Sequence, residues 1–241
     1  MTKHYKIAVP IVADNQRDII GKAADAIKRT ADLVEYRLDL VNGNFNTHSL
    51  WELSHSKRIP KIYTNRPKVQ PQIVGIKDNY EERERVGLLR QIAIAHDPDY
   101  IDLEHELTKY RGFKPIRKEG KTKIIVSHHD FNQTPDYDGL RRLYDEIAGR
   151  ADCDIVKIAT KVNNEKDNDN ILKLIEHASK GGGAKPIVSV GMGKLGKRTR
   201  YQGPEAGSLW TFGALSEDNR SAPGQPLIED LRHYWKTGEM R

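Results

Sequence analysis

Short apolar runs alternate with longer amphipathic stretches along this 241-residue chain. Lys6–Val12 is the first run. Asn15–Ala31 follows with Ile19, Ile20, Ala23, Ala24 and Ile27 at helical spacing, so a strand and then a helix are predicted. Leu33–Leu40 predicts a second strand, and Thr47–Arg58, with Leu50, Trp51 and Leu53 behind an Asn/Thr cap, a second helix. Ile59–Asn65 reads as the third strand. Tyr80–His96 is the next helix, through Val86, Leu88, Leu89, Ile92 and Ala93, and is laced with Glu-Arg pairs at i, i+3 and i+4. Tyr100–Glu104 and Lys123–Ser127 are strands four and five, with Gly112 and Pro115 interrupting the helix between them. Pro135–Ala151 is helical through Leu140, Leu143, Tyr144 and Ile147, and Asp154–Ala159 is strand six. Glu165–Lys180 is helical until Gly181-Gly182-Gly183 stops it. Lys185–Val190 and Ser208–Leu215 are strands seven and eight, and Gln225–Lys236 is the last helix.

Eight strand-like runs alternating with helices predict an α/β fold, a (β/α)8 barrel filling residues 1–241 as one domain. The rival is a doubly wound sheet, which would usually carry a glycine-rich dinucleotide fingerprint after its first strand. This chain has Ala13-Asp14-Asn15 there.

Barrel chemistry gathers where the strands end, so inward polar residues at the C-terminal ends become candidates. On strand six, alternation places Ile155, Lys157 and Ala159 on one face and Asp154, Val156 and Ile158 on the other. Burial disfavours an ammonium and lowers a lysine's pKa from its usual ~10.4, which yields a nucleophilic amine near neutral pH. The plainer alternative is a lysine that is exposed or snorkels to solvent. Strand five ends in Ser127-His128-His129-Asp130-Phe131, with His129 in phase with Ile125 and His128 on the opposite face. Neighbouring strands lie ~5 Å apart, so Lys157 and His129 can meet as a nucleophile beside a proton carrier. An amine of this kind forms an imine with a ketone, and the cationic nitrogen then takes up electrons from a carbanion at the adjacent carbon.

Strand two puts Glu35, Arg37 and Asp39 on one face, where a structural Glu–Arg pair is the alternative to a working role. Arg66 ends strand three, and Asp102 and Glu104 share a face of strand four. Arg37, Arg66 and Arg200 suit an anionic substrate and would lower the lysine's pKa further. Glu35, Asp102, Glu104, His128 and His129 could ligate a divalent ion, but no paired His/Cys spacing appears, and no metal is expected. His4, His48, His55, His96, His105, His177 and His233 are expected at the surface.

Composition narrows the partners. Apolar residues reach 37% against 31% charged, enough for a core and too many for a disordered chain. No apolar run approaches the ~18 residues of a membrane span, and Met1-Thr2-Lys3-His4-Tyr5 lacks a signal segment. Cys153 is the single cysteine, which excludes an intrachain disulfide and fits a reducing, cytoplasmic setting. The net charge of +6 favours an anionic partner. Because basic residues are spread out and aromatics are 7%, a small carboxylate is expected rather than a nucleic acid or a membrane.

Five stretches, in order, carry a resemblance. Glu35-Tyr36-Arg37-Leu38-Asp39-Leu40, Ser127-His128-His129-Asp130-Phe131, Asp154-Ile155-Val156-Lys157-Ile158-Ala159, Met192-Gly193 through Thr199-Arg200, and Ser221-Ala222-Pro223-Gly224-Gln225 resemble type I 3-dehydroquinate dehydratase. The resemblance implies Schiff-base dehydration of 3-dehydroquinate to 3-dehydroshikimate in the shikimate pathway, without metal or cofactor, in a barrel that is usually a homodimer. Lys157 would form the imine and His129 would move the protons, with Glu35, Arg37, Arg66, Arg200, Ser221 and Gln225 binding substrate. Ser221 and Gln225 precede the last helix, which fits an anion site. The family glutamate that orients the histidine is replaced by Gln70, which predicts a lower histidine pKa, and the 69–79 loop is a candidate lid. An aldolase using the same lysine logic, or a basic nucleic-acid-binding protein, would be the alternatives.

Overall fold

Parallel ladders join the strands in sequence order around a common axis. In the computed structural model, which describes residues 4–13, 15–40, 59–67, 80–108 and 121–240, the strands are β1 (Ile7–Ile11), β2 (Leu33–Arg37), β3 (Lys61–Thr64) and β4 (Tyr100–Glu104), then β5 (Lys123–Asp130), β6 (Ile155–Lys161), β7 (Ile187–Met192) and β8 (Thr211–Phe212). Their spatial order is β7-β6-β5-β4-β3-β2-β1-β8. β8 pairs with β1 through Ile7↔Thr211 and Ala8↔Phe212. On the other side Leu209 N–H donates to Ile187 O at 2.9 Å and draws the two sheet edges together. The result is the predicted (β/α)8 barrel, nearly closed.

Residue period two builds both layers. Ala8, Leu33, Ile62, Ile125 and Ile155 point inward and, with Trp210, pack an apolar floor. Tyr100 lies against Trp210 with ring centroids 5.4 Å apart. The alternate residues, such as Val9, Val34, Ile101, Val126 and Val156, face outward onto the helices. Those helices are α1 (Gln16–Lys28), α2 (Tyr80–His96), α3 (His105–Thr108), α4 (Tyr137–Ala148), α5 (Glu165–His177), α6 (Lys197–Ala206) and α7 (Ile228–Thr237). Their starts follow capping chemistry: Asn15 accepts from Asp18 N, Asp136 from Gly139 N, and Asn164 and Asp167 form a reciprocal box. No described helix is long and apolar enough to cross a membrane.

The structure departs from the sequence pattern in several places, beginning with the predicted second strand, which stops at Arg37 and gives way to a 3-10 turn over Leu38–Leu40. β5 and β6 run past their predicted ends, because His129↔Ala159 and Asp130↔Thr160 keep pairing after the apolar alternation stops. β8 is only Thr211–Phe212, shorter than predicted. The helix α6 has no predicted counterpart, since Gly203 and Pro204 lie inside it and mask its pattern. His105, expected at the surface, is 2% exposed. It opens α3 directly after β4, under the end of α4, with its Nε2 3.4 Å from Glu146 Oε1. The predicted helix at 47–58, the interruption at Gly112 and Pro115, and the 69–79 loop with Gln70 lie outside the described residues.

Candidate active site

The C-terminal ends of the strands open into a cavity of about 250 Å³. Glu35, Arg37, Arg66, His129, Lys157, Arg200 and Ser221, all singled out from the sequence, line it together. Asp39, Glu104, Phe131, Met192 and Phe212 join them. Gln225 does not reach the cavity wall. It is buried behind Ser221, and its Oε1 accepts from Ser221 N–H at 3.0 Å and from Ser221 Oγ at 3.1 Å.

Lys157 projects from the middle of β6 and is 6% exposed. Its Nζ donates to Asp102 Oδ2 at 2.8 Å and to Glu35 Oε1 at 3.3 Å, and lies 4.7 Å from the centre of the Phe212 ring. Glu35 comes from β2, on the far wall of the barrel from β6, so this contact crosses the interior. Thr64 Oγ1 donates to the same Glu35 oxygen at 2.8 Å. Asp102, fully buried, also receives Arg66 Nη2 at 2.6 Å and Ser127 Oγ at 2.6 Å. Burial works against its charge, but the Arg66 and Lys157 cations prevail and hold its carboxyl well below the usual carboxylate range. Asp102 is therefore a fixed counter-charge and a poor proton acceptor. The same carboxylates more than offset the burial of Arg66 and hold its guanidinium firmly charged.

His129 follows on the neighbouring strand, paired in register with Ala159, two residues beyond Lys157. Burial pushes its pKa well below the ordinary imidazole value, and the cations Arg66 and Lys157 push the same way against a smaller pull from Asp102. The imidazole is thus neutral at neutral pH and able to accept a proton. Phe131 stacks beside it, with ring centroids 6.1 Å apart and planes at 18°. His128, on the opposite face, pairs with Glu106 Oε1 through Nδ1 at 2.5 Å.

The β7–β8 side is built differently. Gly196 packs so closely on β7 that a Cβ there would lie 2.4 Å from the Gly191 carbonyl carbon. Thr199 Oγ1 accepts from Gly191 N–H at 2.7 Å and donates to Gly196 O at 2.9 Å, clipping the start of α6 to the strand. That close approach carries Arg200 into the cavity wall, where it is 2% exposed. Arg37 pairs with Asp39, at 3.1 and 2.7 Å. Arg200 has no carboxylate within ion-pair distance among the described residues, and its Nε has no hydrogen-bond partner. Burial alone pushes its pKa down to about 10. Gln225 Nε2 is a second buried donor left unmatched. The Ser221 loop docks here because Gly224, at φ +79°, has no Cβ to strike Gly193 O. An anion with its own acceptors would satisfy this side of the cavity.

The sequence pattern showed Asp102 and Glu104 facing inward but not their partners. Phe212 carried no signal at all, since an aromatic residue in a strand reads as core.

Residues 7–240 match the family model for type I 3-dehydroquinase. A 3-dehydroquinate dehydratase of Methanococcus maripaludis is 34% identical over 232 residues, covering 94% of this chain and 96% of that protein. Among solved structures, the type I 3-dehydroquinate dehydratase of Clostridium difficile superposes with a TM-score of 0.80 at 27% identity, covering 98% of this chain and 93% of that one. The 3-dehydroquinate dehydratase of Geobacillus kaustophilus gives 0.76 at 26% identity, covering 97% and 91%. With the match spanning the barrel and every lining residue named above, the chain belongs to the type I 3-dehydroquinase family.

Proposed function

We propose that this chain dehydrates 3-dehydroquinate to 3-dehydroshikimate, as a lyase of the shikimate pathway, through an imine on Lys157. The observation that carries this reading is a buried lysine and a neutral histidine opening from paired strands onto one cavity. Lys157 first releases its ammonium proton to solvent; the amine then adds to the substrate ketone, and the carbinolamine takes a proton back and loses water to leave an iminium. His129 takes a proton from the adjacent carbon, and the C–H electron pair moves to the iminium nitrogen to give an enamine. That pair returns to expel the β-hydroxyl, which leaves as water with the proton returned by His129. Water then adds to the imine, releasing the conjugated enone and the free amine. Arg200 and Ser221, with Gln225 behind, take the substrate carboxylate, which supplies the anion their geometry lacks. Glu35, Arg37 and Arg66 hold the rest of the ring and the nucleophile in place.

Incubation with 3-dehydroquinate and borohydride, followed by peptide mapping, tests the reading. A reduced adduct is expected on Lys157, and enone absorbance should appear when borohydride is omitted. No adduct, or an adduct on another residue, defeats it. An aldolase would cleave a carbon–carbon bond and leave no enone. A cytoplasmic homodimer is the expected working form by family resemblance, and light scattering of the purified protein measures the oligomeric part of that expectation.

A further inference from the structure

Arg66 stands between two carboxylates, and what keeps it there comes from outside the barrel. Its Nη1 donates to Glu104 Oε1 at 2.9 Å and its Nη2 to Asp102 Oδ2 at 2.6 Å. A guanidinium beside a carboxylate ordinarily prefers the two-toothed fork, both nitrogens on both oxygens of one partner. Here Glu104 is shared: its Oε2 takes Arg85 Nη2 at 3.0 Å, so a second guanidinium offsets the charge of that carboxylate and competes with Arg66 for the fork. Arg85 belongs to α2, and its side chain passes inward to reach the strand ends. Its Nη1 donates to the carbonyl of Asn65, the residue before Arg66, while Asn65 Nδ2 donates back to Arg85 O at 3.2 Å. One side chain thus grips both the backbone next to Arg66 and the carboxylate that competes for it.

We propose that Arg85 is a positioning residue for the dehydration: by sharing Glu104, it weakens that carboxylate's hold on Arg66, which then bridges to Asp102 and so keeps Asp102 on the Lys157 ammonium. The chain of contacts runs from Arg85 through Glu104, Arg66 and Asp102 to Lys157, with opposite charges at every link. Without Arg85, the freed Glu104 oxygen draws Arg66 into the fork. Asp102 is then released from Arg66, and the lysine loses its fixed orientation. This inference rests on the imine role of Lys157.

A double-mutant cycle between Arg85→Met and Glu104→Gln tests it, with rates normalised to folded enzyme by borohydride titration of the active sites. In the wild-type background, Arg85→Met is expected to lower kcat about tenfold with KM within about twofold. In the Glu104→Gln background the competing carboxylate is gone, so Arg85→Met should have little further effect. Should Arg85→Met fail to fold, Arg85→Lys serves in its place: its single ammonium cannot fork, and a smaller loss with the same dependence on Glu104 is expected. Equal losses in both backgrounds, or an unchanged kcat in the wild-type background, would overturn the proposal. If the wild-type enzyme itself forms no adduct at Lys157, the imine reading fails first, and the two failures are told apart by that control.

Discussion

The two sides of the cavity solve opposite problems. From β3 to β6, Arg66, Asp102, Glu104, Ser127 and Lys157 are paired with one another, all of them buried except the half-buried Arg66. Across the mouth, α6 and the loop before α7 present Arg200 and Gln225 with donors that no described residue satisfies. Buried charges survive when paired, so the first side is a preassembled scaffold for a nucleophile. The second is costly by itself and becomes favourable with an anion in place. The first side is assembled before substrate arrives, and the second is completed by it.

Mutations sharpen this contrast, beginning with the chemistry the paired side supports. Lys157→Ala should abolish turnover by at least ~10⁴-fold and remove the borohydride adduct, while the protein stays folded. His129→Gln should cost ~10²–10⁴-fold in kcat and yet leave an imine that borohydride can trap. A variant that traps nothing would mean that His129 is needed earlier than proton transfer at carbon.

On the unpaired side, Arg200→Met should raise KM about 10²-fold, as loss of one partner of a buried charge pair in the complex does. The same change removes an uncompensated buried cation, so the Tm of the protein without substrate should rise. Asp102→Asn is the mirror image. It takes one carboxylate from both Arg66 and Lys157, leaving each with one acidic partner, Glu104 and Glu35, and should destabilise the fold by about 3 kcal/mol, read from the urea midpoint. If both variants shift Tm in the same direction, the contrast between the two sides is wrong.

The smallest effect is a pH dependence. His129 has a folded-state pKa below its unfolded value of ~6.5, so the unfolded chain binds the extra proton first. Its contribution to stability is complete above ~6.5 and is lost as the pH falls from there toward the folded pKa. Urea midpoints between pH 8 and 5 should fall more steeply for the wild type than for His129→Gln. Asp102, whose folded pKa is depressed, contributes above ~3.9 and leaves that window undisturbed.

Much of this was legible in the sequence, and for a simple reason. Alternation of Ile155, Lys157 and Ala159 against Val156 and Ile158 assigns faces without any tertiary information, because successive strand residues must point opposite ways. Strand adjacency in a barrel then places His129 beside Lys157. The pattern also carried the eight strands and the inward direction of Glu35, Arg37 and Arg66.

Closure of the barrel decided the rest. Glu35 and Lys157 are 122 residues apart and meet only because β2 and β6 face each other across an interior narrow enough for side chains to fill. Arg200 faces the cavity because two glycines let an unpredicted helix press against β7. Gln225, expected against substrate, stands behind Ser221, and His105, expected in solvent, is covered by α4. Local periodicity sets the direction of a side chain relative to its own strand. Which charge it finds there depends on strands distant in sequence, and only the folded barrel brings those together.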